Sequence, residues 1–172
     1  MRKRRIKVLL WIMILILVDQ LSKVIIYQYF FDTNFTIIPH LLEFYPKFNL
    51  GYYYNDLLKL NAPPYLFIIF NIIVQFVMVF LFIRNRNQSK LFDWMFIFCE
   101  AGYNCSLITE IAWTKGCLDF IYLRPLFIFD FKDIYVSIFS ALIIIYSITK
   151  SIKKVKIYKN NYHQRDTKPV PA

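Results

Sequence analysis

The sequence predicts an all-α membrane protein of four transmembrane helices with a small extracytoplasmic β-rich surface element. Three observations predict it. The chain of 172 residues is 58% hydrophobic and 20% aromatic yet carries a formal charge of +10, a combination that a soluble domain of this size would not tolerate. Four apolar runs, at about residues 7–27, 64–83, 91–113 and 133–152, are long enough for the roughly 20 residues of helix that cross a hydrocarbon core. Lysine and arginine gather in three segments that a four-helix topology puts on one side: Arg2 to Lys7, then Arg84, Arg86 and Lys90, then Lys150 to Lys159. Cytoplasmic flanks collect such residues. Both termini are therefore expected in the cytoplasm, with segments 28–63 and 114–132 outside. Residues 1–152 form the membrane domain, and 153–172 form a basic cytoplasmic tail expected to be disordered.

The first helix follows a basic cluster as a signal peptide would, but no small-residue cleavage site follows it, so it is expected to be retained. It carries Asp19, Gln20 and Lys23. Asp19 and Lys23 are four apart and face the same way, either as a wet helix end with a snorkelling lysine or as part of a polar site. The first outer segment alternates in places (Phe35-Thr36-Ile37-Ile38, Leu42-Glu43-Phe44-Tyr45), with breaks at Pro39 and Pro46. Short strands on the membrane surface fit that pattern. It runs on through Asn49 and Gly51, where a glycine allows a turn or a close backbone approach. The second helix is an ordinary span, with Asn71 and Gln75 placed to hydrogen-bond between helices. The third is polar, with Glu100, Asn104, Ser106, Thr109 and Glu110, beside small Ala101, Gly102 and Cys105 that admit a neighbouring backbone. Its polar stripe must face the bundle or a wet cleft. The second outer segment reads as a turn at Lys115-Gly116 and a short strand, ending at Asp130-Phe131-Lys132-Asp133 at the mouth of the fourth helix.

Composition also excludes. The positive charge lies in juxtamembrane clusters rather than on an aromatic platform, which argues against a nucleic-acid partner and for anionic membrane lipids. No metal site is expected, since His40 and His163 fall on opposite sides of the membrane. No cofactor is expected either. Cys99, Cys105 and Cys117 have no metal-type spacing and read as small apolar fillers. A transporter is disfavoured because the polar groups gather at one outer face rather than near the midplane. Four polar clusters end there: Asp19/Gln20/Lys23, Asn49/Gly51, Ser106/Thr109/Glu110 and Asp130/Lys132/Asp133. Carboxylates from two helices meeting at the bilayer surface follow the logic of an aspartic protease, in which two close acids share one proton.

Several stretches resemble the signal peptidase II family, the bacterial lipoprotein signal peptidases. Asp19-Gln20-Leu21-Ser22-Lys23 matches D-Q-x-x-K. Phe48-Asn49-Leu50-Gly51 resembles the start of N-x-G-A-A-F, with Tyr52 and Tyr53 in place of the alanines. Asp119-Phe120-Ile121 resembles D-F-I, and Phe129-Asp130-Phe131-Lys132-Asp133 resembles F-N-x-A-D. The resemblance implies a four-helix aspartic endopeptidase of the bacterial cytoplasmic membrane. Its substrate would be a prolipoprotein bearing a diacylglyceryl cysteine, cut just before that cysteine. It implies Asp133 as one catalytic acid and puts the other in a G-N-x-x-D-R motif, which this chain lacks. Aligned on Ala101-Gly102, Thr109 takes the acid's place; counted back from Asp119, Glu110 does. The expected catalytic pair is Asp133 with Glu110, and Asp119 or Asp130 is the fallback partner. Asp19, Gln20, Lys23, Asn49, Gly51, Thr109, Asp119 and Asp130 are expected to bind substrate or support the site. The alternative is a catalytically silent paralogue that binds lipid-modified peptides or a membrane partner.

Overall fold

The computed structural model describes the backbone of residues 2–49, 64–84 and 89–166. Helix α1 (Arg2–Ile25) starts within the basic cluster and widens to π geometry over Ile26–Phe30. Strands β1 (Phe35–Ile38) and β2 (Leu42–Asn49) follow, then α2 (Pro64–Arg84), α3 (Lys90–Ala112), β3 (Cys117–Leu123), β4 (Phe127–Phe129) and α4 (Phe131–Asp166). All four apolar runs are helical. Two stretches, Lys3–Phe30 and Phe131–Ile152, are long and apolar enough to cross a membrane, and Ile68–Arg84 is a shorter apolar helix. Leu9, Leu10, Met13, Phe76, Ile83, Ile144 and Ile148 point outward from the bundle. Such a surface suits lipid better than water.

Helix α3 is the hub, packing on α4, α1 and α2. Ser89 caps it, accepting from the Phe92 amide at 3.4 Å. Its lower half supplies Phe92, Met95, Phe96 and Cys99 to a core shared with Val8, Ile12, Met78 and Phe139. Its upper half turns the expected polar stripe inward: Glu100, Ala101, Gly102, Cys105 and Thr109 are all buried. Gly102 sets the spacing to α4, because a Cβ there would lie 2.8 Å from Val136 Cγ2 and 3.3 Å from the Val136 nitrogen. No larger residue lets the two backbones meet so closely.

The four strands make one antiparallel sheet in the order β1-β2-β3-β4. Asp119 on β3 lies opposite Lys47, Asn49 opposite Cys117, and Ile121 opposite Phe129 of β4. Side chains alternate across a strand. Leu118 and Phe120 therefore pack with Ile26, Phe44, Phe48 and Trp113, while Cys117 and Asp119 face the other way. Two expectations need correction. The stretch before the fourth helix contains a strand, β4, because Phe127-Ile128-Phe129 can pair with β3. The helix does not end at Ile152 in a disordered tail but continues to Asp166. No proline or glycine interrupts 131–168, and lysine is a good helix former.

Candidate active site

The start of α4 is fixed by its own acids. The Asp133 amide donates to Asp130 Oδ1 at 3.2 Å, and the Asp130 amide donates to Asp133 Oδ2 at 3.3 Å. This is a reciprocal capping box with aspartate in both roles, and two negative charges suit the positive end of the helix dipole. The Asp133 side chain is still 45% exposed, so it remains open to a substrate.

Beneath it lies a buried ionic bracket. Asp19, Lys23 and Asp130 are each 0% exposed, which excludes the wet-end reading of Asp19 and Lys23. Lys23 Nζ lies 2.9 Å from Asp19, 2.8 Å from Asp130 and 3.0 Å from Thr109 Oγ1. Asp19 also accepts from the Lys132 amide at 3.1 Å and from Gln20 at 2.8 Å. The stretch from Asp19 to Lys23 thus ties α1 to the end of α3 and to the first turn of α4. Thr109 is the residue of its pair that turns into this bracket. Glu110, one residue on, projects about 100° further round the helix and is half-buried.

The third layer is organised by Lys132. Its ammonium lies 2.8 Å from Asp130, 3.6 Å from Asp119 Oδ1 and 3.6 Å from Asp133 Oδ2. It also donates to Cys117 Sγ at 3.0 Å, and that thiol donates to Asp119 Oδ1 at 3.0 Å. Asn49 completes the group by donating to Asp119 Oδ2 at 3.3 Å. Burial pushes the Asp119 carboxyl above the usual range, against the pull of Lys132. Burial would raise Asp130 too, but the ammonium groups of Lys132 and Lys23 overcome it and hold that acid at about 2. The Cys117 thiol is pushed up by burial and stays protonated. Cys117, Asp119 and Asp130 bring ligand atoms within 4.8 Å of one another, yet the set does not suit a metal ion, because the Lys132 ammonium already supplies the positive charge among them.

Most of the expected site is brought together: Asp19, Gln20, Lys23, Asn49, Thr109, Asp119, Asp130 and Asp133. Gly51 lies outside the described residues. Cys117 was missed and is no apolar filler. Its place two residues before Asp119 in a strand, hence on the same face, is the signal that finds it. Cys99 and Cys105 are fully buried, as fillers should be.

A family model described as signal peptidase (SPase) II matches residues 11–149. The chain belongs to the signal peptidase II family. The family acts on lipoprotein precursors, and membership gives this chain a lipoprotein signal peptidase-like character in a bacterial membrane. Two bacterial membrane enzymes solved by the in meso method share its fold. One, at 2.3 Å resolution, superposes with a TM-score of 0.68 at 23% identity, covering 86% of this chain and 91% of its own. The other, at 1.9 Å, gives 0.65 at 26% identity, covering 81% and 90%. No curated protein matches the chain.

Proposed function

We propose that the protein is a membrane aspartic endopeptidase that removes signal peptides from diacylglyceryl-modified prolipoproteins, with Asp133 and Asp119 as its acid pair. All four helices cross the cytoplasmic membrane, both termini lie in the cytoplasm, and the site opens at the outer surface. One observation carries the choice of acids: Asp119 and Asp133 both lie 3.6 Å from a single ammonium, that of Lys132. Those two contacts hold both acids at one ammonium, and on this reading one water sits between them when substrate binds. One acid would take a proton from that water as its oxygen bonds to the scissile carbonyl carbon. The other would protonate the departing amide nitrogen as the C–N bond breaks. Spacing alone nominates Glu110 as the partner, and the geometry around Asp133 favours Asp119.

Cleavage of a lipidated precursor peptide by the purified protein tests this. Asp119→Asn and Asp133→Asn should each abolish cleavage while Glu110→Gln retains most of it. Loss with Glu110→Gln and survival with Asp119→Asn would reverse the assignment.

The silent reading is favoured by the same lysine. An ammonium between the two acids favours their ionised forms and so opposes the shared-proton state, although burial pulls the Asp119 carboxyl the other way. On that reading the wild type retains a lipopeptide without cutting it, and no single acid replacement changes the outcome.

A further inference from the structure

A second polar feature lies at the other end of α1 from Asp19 and Lys23, where α1 and α3 both begin. A cavity of about 330 Å³ opens between their first turns, a size that suits a small-molecule site. On α1, Lys3, Lys7 and Trp11 succeed one another at intervals of four residues, and on α3 Lys90 and Trp94 repeat the interval. Each helix therefore puts a lysine about 6 Å, just over one turn, ahead of a tryptophan on the same face. The two indoles meet with centroids 5.7 Å apart, yet remain 46% and 41% exposed. Arg4 and Asp93 close the cleft with a two-point ion pair. Among the described residues, Lys3, Lys7 and Lys90 join no ion pair. The lining thus combines an unbalanced set of ammonium groups at the mouth with an aromatic wall one turn deeper.

That pairing has a chemical complement: an anion carrying an apolar tail. We propose that the cleft binds one anionic phospholipid of the inner leaflet, its phosphodiester on Lys3, Lys7 and Lys90 and its glycerol and first acyl carbons against Trp11 and Trp94. Basic clefts between membrane helices on the cytoplasmic side hold acidic headgroups, and tryptophan favours that depth. Diffuse attraction between a basic flank and an acidic surface would need no such indole pair. The inference rests on the reading that α1 and α3 start at the cytoplasmic surface. Binding in detergent is independent of sidedness, so failure of that reading is detected separately, by labelling.

The test is native mass spectrometry of the full chain in detergent, titrated separately with dioleoylphosphatidylglycerol, dioleoylphosphatidylcholine and inorganic phosphate. One phosphatidylglycerol should persist under conditions that strip phosphatidylcholine. Combined Lys3→Gln, Lys7→Gln and Lys90→Gln should weaken its binding at least tenfold. Combined Lys153→Gln, Lys154→Gln and Lys156→Gln, which removes the same charge elsewhere, should weaken it no more than twofold. Trp11→Leu with Trp94→Leu should weaken it severalfold with every lysine in place. Equal losses in the two lysine variants, or equal binding of phosphatidylcholine, would overturn the proposal. Millimolar phosphate displacing the lipid completely would also overturn it, in favour of a free-phosphate site.

Discussion

Lys132→Ala removes the one cation that, among the described residues, Asp119, Asp130 and Asp133 share. At an effective dielectric of about 20, an ion pair at 3.6 Å is worth roughly 4 to 5 kcal/mol before desolvation, and one at 2.8 Å roughly 6. Desolvation cancels most of this, and stranding a buried partner usually costs about 3 to 5 kcal/mol. Asp130 keeps Lys23 at 2.8 Å, so the lower end applies, about 3 kcal/mol at pH 7. For a chain of this size that is a fall of roughly 5 to 10 °C in Tm. The pH dependence has a definite sign. In the wild type, Asp130 is held at about 2, below its unfolded value, so its contribution is present above about pH 4 and is lost only as pH falls through about 2. Wild-type stability attributable to Asp130 should therefore be flat between pH 7 and pH 5. In the variant, Asp119 and Asp130 lose Lys132 and their folded pKa values rise. Stability from a raised group is present below its unfolded pKa and is lost as pH rises through the folded one. The gap between variant and wild type should therefore narrow on going from pH 7 to pH 5. Thermal unfolding in detergent across that range measures it, and cleavage of a lipidated peptide reads the functional side. The variant should cut faster than the wild type at neutral pH, because without the ammonium one acid of the pair holds a proton more readily. A variant as stable as the wild type at every pH, or a slower one that folds normally, would refute this account of Lys132.

Three further outcomes are expected. Gly102→Ala should lower stability by about 1 to 3 kcal/mol through overpacking, since the new Cβ meets Val136 Cγ2 at 2.8 Å and its nitrogen at 3.3 Å; adding Val136→Ala should recover part of the loss, which thermal unfolding will show. Lys23→Met should cost about 3 to 5 kcal/mol by stranding Asp19, while Asp130 keeps Lys132 at 2.8 Å, and combining it with Asp19→Asn should cost less than the two single losses together, as a double-mutant cycle would report. A cysteine at position 160, in a background without the native cysteines, should resist a membrane-impermeant thiol reagent in intact cells; labelling from outside would sink the topology of both termini inside.

The sequence by itself determined the four apolar helices, though not the extension of the last one to Asp166, because apolar length and the positions of glycine and proline are local properties of the chain. It showed the positive flanks and a concentration of polar groups at the helix ends opposite them. It also carried the short motifs that mark the family. It did not determine which charges neutralise one another. Lys23 meets Thr109 across 86 residues, the Lys132 amide meets Asp19 across 113, and Asn49 meets Asp119 across 70. Spacing along one helix could not choose between Thr109 and Glu110, since neighbours on a helix differ by about 100° in direction and only the packing of α3 on α1 fixes which one faces Lys23. The strand β4 was hidden for a similar reason: three residues make a strand only because β3 offers them an edge. The same holds for Cys117, which reads as a small apolar residue until the sheet turns it toward Asp119 and Lys132. Local periodicity wrote the scaffold, whereas the pairing of Asp119, Lys132 and Asp133 depended on tertiary contacts, because an ion pair is set by distance in space and the chain encodes only distance along itself.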